Sequence, residues 1–134
     1  MVTINNSTLR SNVYETIYDT LNGASLLSGT ATVTASYYDD DQAFPQVVVN
    51  PVDVAHSEHS FNWDHSKKNV SIMIDIWTKK NKDKDLLCDE IDALLRPLAI
   101  AGLSLINWEE SNAFESPGNN KLHLKSITLT YLRG

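Results

Sequence analysis

Disulfides, glycine-rich loops, long apolar runs and an excess of positive charge are all missing from this sequence. Cys88 is the only cysteine, which excludes an intramolecular disulfide and a cysteine-based zinc site. The five glycines are scattered, and they form neither a Gly-x-Ser-x-Gly elbow nor a strand-to-helix loop that cradles phosphate. The longest apolar stretch, at 98–106, is broken by Gly102 and Ser104 and is far too short to span a bilayer. The first residues, Met-Val-Thr-Ile-Asn-Asn, hold neither a basic nor an apolar run, so no signal peptide is expected. A net charge of −6 opposes the general nucleic-acid binders, which need Lys and Arg to displace counterions from phosphates.

What is present fits one modest domain over 1–134. A length of 134 residues, with 42% hydrophobic and 21% charged, is ordinary for a globular chain. Residues 7–27 read as a helix, because Leu9, Val13, Ile17 and Leu21 recur every fourth position and Ala24 continues the stripe. Asn6 or Ser7 can cap its start; Gly23 leaves the position of its end open, and Ser28-Gly29 is the clearer stop. Over 30–38 the period changes to two, with Ala31, Val33, Ala35 and Tyr37 on one face of a half-buried strand. Asp39, Asp40 and Asp41 then form an acidic turn. A second, short strand over 46–50 is bracketed by Pro45 and Pro51, which cannot donate to a ladder.

The segment 52–69 is polar and lacks a period, so it reads as a loop or a long β-excursion. After it comes the clearest strand. Val70, Ile72, Ile74 and Ile76 share one face, which predicts a central strand packed under helices. The mixed run at 79–84 reads as a charged turn, and a second helix follows over 83–96. Its apolar side holds Leu87, Ile91, Leu94, Leu95 and Leu98, and Pro97 ends it. The last third is a hairpin, 103–114 with 121–132, joined through Ser116-Pro117-Gly118-Asn119-Asn120. Its apolar phase shifts between Leu124 and Ile127, which predicts a β-bulge near Lys125-Ser126. The order α-β-β-β-α-β-β is an α+β fold: a mostly antiparallel sheet of about five strands packed with two helices. The expected core is Val70, Ile72, Ile74, Ile76, Leu87, Ile91 and Leu94.

Candidate chemistry is thin. His56, His59 and His65 with Glu58 and Asp64 are possible ligands for a divalent metal, and a small metal-dependent enzyme built on them is one reading. Their spacing matches no recognised ligand set, and a solvated loop is the simpler account, so neither a metal nor any other cofactor is expected. Cys88 lies on the flank of the second helix, where a small buried thiol is the ordinary reading. No catalytic residue is expected.

The run Val70-Ser-Ile-Met-Ile-Asp-Ile-Trp-Thr78, the polar turn after it and Leu86-Leu-Cys-Asp-Glu-Ile-Asp-Ala-Leu-Leu95 resemble the tail terminator proteins of long-tailed bacteriophages. In that family an "Ile-Asp-Ile-Trp-Thr"-like strand leads into a helix ending in an "Ile-x-x-Leu-Leu"-like pattern. Phe44-Pro45-Gln46-Val47-Val48-Val49 is similar to its earlier strand, and the paired strands through Trp108 and Tyr131 fit as well. The resemblance implies a non-enzymatic virion subunit, made in the host cytoplasm and located in the tail or neck. It also implies a ring of copies, usually six, that caps the tail tube, stops its polymerisation and meets the head-side connector or stopper protein. DNA would pass through without specific binding, and no membrane is involved. Asp39, Asp40, Asp41, Glu109 and Glu110 are then candidates for an acidic channel lining that phosphates do not adhere to. Another head–tail connector component, an adaptor or stopper, is the alternative within the same class.

Overall fold

The structure is a computed structural model that describes residues 2–3, 9–35, 45–57, 67–115 and 122–133. Its elements in chain order are β1 (Val2–Thr3), α1 (Leu9–Asn22), β2 (Thr32–Ala35), β3 (Gln46–Val49), β4 (Asp53–Ser57), β5 (Lys67–Thr78), α2 (Asn81–Leu95), β6 (Ile100–Ala101), β7 (Leu103–Glu115) and β8 (Leu122–Arg133). The α+β class is as the periodicities predict. Six strands form the main sheet in the order β2-β3-β5-β8-β7, with β4 also paired to β5, and β1 and β6 form a separate two-stranded ribbon. Only β2–β3 and β1–β6 are parallel among the described pairs.

β5 is central, as four β-branched residues on one face require. One side pairs β8 from Lys68↔Arg133 to Thr78↔His123 without a register break. The other side pairs β3 over 74–77 and β4 over 67–71, so those two short strands lie end to end. Segment 52–57 is thus the β-excursion, not a loop. Its break from β3 is at Asn50-Pro51-Val52, where proline interrupts the ladder. Asn50 bridges the gap: its Nδ2 donates to the Met73 carbonyl and to Asp75 Oδ2, both at 3.0 Å.

Both helices cover the same face of this sheet. Val70, Ile72, Ile74 and Ile76 are buried there with Val13, Ile17 and Leu21 of α1, Leu87, Ile91 and Leu95 of α2, and Ile127, Leu129 and Tyr131 of β8. Leu94 packs against this cluster but stays partly exposed. The opposite face carries Ser71, Met73 and Asp75 and a smaller cluster of Val48, Trp77 and Leu122.

Four expectations need correction. The hairpin's irregularity is not at Lys125-Ser126. β8 is unbroken, and its two apolar sets face opposite sides, with Leu122 and Leu124 in the smaller cluster and Ile127, Leu129 and Tyr131 under the helices. The bulge falls in β7, where the register slips between Leu105 and Asn107 and leaves Ile106 53% exposed. The charged turn at 79–84 shrinks to Lys79-Lys80, because α2 begins at Asn81 with Asp83 in its first turn, where a carboxylate complements the helix dipole. Lys84 is not solvated: it lies within α2 and is 7% exposed. Finally, the first helix ends at Asn22, not at residue 27.

What replaces the end of that helix is a left-handed turn. Ser25, Leu27 and Ser28 all have positive φ (52°, 50° and 56°), followed by Gly29 at 88°. For L-residues each such conformation costs roughly 1–2 kcal/mol, so neighbouring contacts must hold it. Leu27 is fixed most firmly. Its N–H donates to Glu90 Oε2 of α2 at 2.9 Å, and its carbonyl accepts the Thr30 hydroxyl at 2.7 Å. Leu26, 3% exposed, anchors the turn in the core.

Truncating Ile74 or Ile91 to Ala is expected to lower unfolding stability by about 2–5 kcal/mol, the usual loss in a packed interior. Urea titration followed by circular dichroism reads it, and curves matching the wild type would overturn this packing. Ser28 is exposed and strained, so Ser28→Gly should raise stability by about 0.5–1 kcal/mol despite glycine's larger unfolded-state entropy. A fall in the midpoint would show that the turn is not strained there.

Candidate functional site

Strand alternation separates the two neighbouring carboxylates of β7. Glu109 lies opposite Thr128 and Glu110 opposite Ile127, so the first shares the open face of the sheet and the second the helix face. On the open side Asn107 Nδ2 donates to Glu109 Oε1 at 2.9 Å. Ser126 Oγ donates to Asp75 Oδ1 at 2.6 Å on the same face, and Ser71 and Thr130 exchange a hydroxyl contact at 3.4 Å. The described side chains on this face between Ser71 and Asp75, and across from them on β8 and β7, are hydroxyls, amides and carboxylates with one exposed methionine, Met73. No cationic side chain is among them.

Glu110 belongs to a polar cluster at the edge of α2. Trp108 Nε1 donates to Glu110 Oε2 at 2.8 Å, and Lys125 Nζ lies 3.2 Å from Oε1. The indole hydrogen bond, then the Lys125 ammonium, hold the Glu110 carboxyl below the ordinary glutamate range against the opposing effect of burial. For Lys125 burial is the largest single influence and lowers the pKa. The Glu110 hydrogen bond and nearby negative groups outweigh it, so the ammonium is held above its ordinary value. Arg96 closes the cluster from α2, its guanidinium 4.4 Å from the Trp108 ring centre and 2.6 Å from Asp92 Oδ1.

Cys88 sits beside this cluster, 5% exposed. Burial is the main reason its thiol is pushed up to about 11, with Lys125 pulling the other way and Glu110 adding to the rise. A thiol in that state is protonated at neutral pH and a poor nucleophile. Tyr131, 2% exposed, is likewise raised to about 12 by burial.

Of the other sequence candidates, His56 falls in β4, while Glu58, His59, Asp64 and His65 lie outside the described residues, as do Asp39, Asp40 and Asp41. Among the described residues no group of three His, Cys, Asp or Glu side chains is placed to hold a metal ion. No described helix is long and apolar enough to cross a membrane. Two shallow grooves flank α1, one of about 440 Å³ between Tyr14 and Pro51-Val52, the other of about 400 Å³ between Thr16 and Leu98-Ala99. The Glu110–Lys125–Trp108 cluster is the one feature that residue-by-residue reading missed. Its signal was there in principle, since i and i+2 on one strand share a face.

The fold is shared with a virion chain. A chain in the solved virion of a native gene transfer agent particle superposes with a TM-score of 0.60, covering 88% of this chain and 92% of that one at 14% identity. At that identity the likeness shows the fold. No protein-family model and no curated protein matches this chain.

The lowered Glu110 pKa has a consequence for stability. A carboxylate whose folded pKa is depressed adds stability above its unfolded value and loses it as pH falls through the folded one. Glu110→Gln should therefore be less stable than wild type at pH 7, by no more than about 1 kcal/mol because the pair is partly exposed. The gap should close in acid, once pH has dropped below the depressed Glu110 value. Melting curves across pH test this, and a gap that persists unchanged in acid would refute the ion-pair account.

Proposed function

We propose that this chain is a structural subunit of a phage-like particle, acting at the head–tail joint as a tail terminator. In this reading copies close into a ring, six by the family pattern, that caps the tail tube, stops its growth and offers a surface to the head-side connector. The observation that carries the reading is the near full-length fold match to a chain of a gene transfer agent virion. The pattern resemblance through 70–95 is independent support, because it rests on residue order and not on coordinates. The chemistry is compatible: the buried Cys88 thiol is protonated, and the shallow grooves beside α1 are open and surface-lying. A connector of the adaptor or stopper kind fits the same fold match, and only assembly phenotype separates the two.

A ring through which duplex DNA passes needs a lining that does not bind phosphate. The described part of the sheet face opposite the helices, with Asp75 and Glu109 among hydroxyls, is compatible with that role. Glu110, engaged with Lys125, is a structural group in this scheme, and Glu109 is the channel-lining candidate of the pair. Closed symmetry lets every subunit use the same contacts.

The test is genetic and physical. Deleting the gene should give overlong or unattached tails beside DNA-filled heads, seen by negative-stain microscopy. Purified protein at high concentration should show ring-sized species by native mass measurement, although a dilute monomer is compatible because docking on the tube drives closure by mass action. Normal-length tails joined to heads in the deletion strain would refute the terminator role.

A further inference from the structure

The link between α1 and β2 holds two incompatible instructions. The apolar stripe Leu9, Val13, Ile17, Leu21 and Ala24 favours a helix that runs on to Ser28-Gly29, while Gly23 favours an earlier end. The chain instead leaves the helix early and makes a left-handed turn at Leu27 and Ser28, in residues that rarely adopt one. Such a conflict between local preference and tertiary geometry persists only where contacts over-determine the strained form. Here two ties reach other elements: Leu26, 3% exposed, is buried in the core, and Glu90 of α2 accepts the Leu27 N–H through its Oε2 at 2.9 Å. The Thr30 hydroxyl and the Thr30 N–H, which both reach the Leu27 carbonyl, are local to the turn and form only once it exists.

We propose that residues 24–30 are a two-state hinge latched by Glu90. Releasing the Leu27–Glu90 hydrogen bond lets α1 continue as a right-handed helix to about Ser28. That extension adds about 9 Å of helix and leaves three residues to reach Thr32. β2 cannot then keep its register, and its parallel pairing with β3, Thr32↔Gln46 to Ala35↔Val49, is given up. The latch therefore controls whether the β3 edge of the main sheet is covered by β2 or open to another strand. This inference does not depend on the virion reading, since it concerns the free chain.

Backbone chemical shifts and amide exchange on the full chain test it. Wild type should show left-handed shifts at Leu27 and Ser28 and protected amides in β2. Glu90→Ala should move 24–28 toward helical shifts and raise exchange at Thr32–Ala35 at least tenfold, with β5 amides unchanged. Adding Ser28→Gly to that variant should restore the turn, because glycine favours the left-handed form and disfavours helix. The exposed pair Ser25→Ala with Ser28→Ala leaves the core and Glu90 intact, and it should populate the helical form without threatening the fold. Left-handed shifts retained in both Glu90→Ala and the double-alanine variant would overturn the proposal. So would loss of β5 protection in Glu90→Ala alongside an unaltered turn in the double-alanine variant.

Discussion

The unbroken ladder between β5 and β8 commits every residue of both strands to a face. From Lys68↔Arg133 to Thr78↔His123 the register never slips, so alternate side chains go to the helices and the rest to the open side. That commitment buries Val70, Ile72, Ile74 and Ile76 beside Ile127, Leu129 and Tyr131, and gives α1 and α2 one continuous apolar surface to cover. A one-residue slip would exchange Ile74 for Met73 or Asp75 and place a carboxylate under α2. The rest of the molecule is arranged around avoiding that outcome. β3 and β4 share one flank of β5 with a proline break between them, and the register shift among the described pairs falls in β7, where it disturbs only the hairpin's outer strand.

The polar groups follow from the same alternation. Glu110 is carried to the helix face and must find partners near α2, which Trp108 and Lys125 supply. Glu109, one residue earlier, is left on the open face with Asn107. The two faces thus differ in kind. One is an apolar bed for helices with an ion pair at its margin, and the other carries hydroxyls and carboxylates beside the smaller buried cluster of Val48, Trp77 and Leu122. On the helix side, α1 is tied to the sheet's strands by its stacked tyrosines. Tyr14 donates to the Val49 carbonyl at 3.3 Å and Tyr18 to the Val33 carbonyl at 3.4 Å.

Functional reading here depends on shape and order more than on a reactive site. The gene transfer agent chain shares the fold at 14% identity, so the likeness is one of architecture. The candidate chemistry that can be placed, the Cys88 thiol, is held protonated by burial beside Glu110.

The α+β class, the central position of β5, the apolar face of α2 and the final hairpin were all determined by the sequence alone. Periods of two and of about four are local, and burial follows directly from them. Three things were decided only by tertiary structure. The apolar phase in β8 looked like a bulge because a one-strand reading assumes one buried face, whereas the sheet buries residues on both. Glu109 and Glu110 looked like one acidic patch; the strand period sends neighbours to opposite faces, and only the sheet pairing shows that Glu110 is the one on the helix side. The end of α1 looked like residue 27 because the apolar stripe runs on through Ala24; the chain leaves the helix before Gly23, and the turn that follows is held by Leu26 in the core and by Glu90, 63 positions away from Leu27. In each case the deciding contact came from a different element, and no window along the chain contains it.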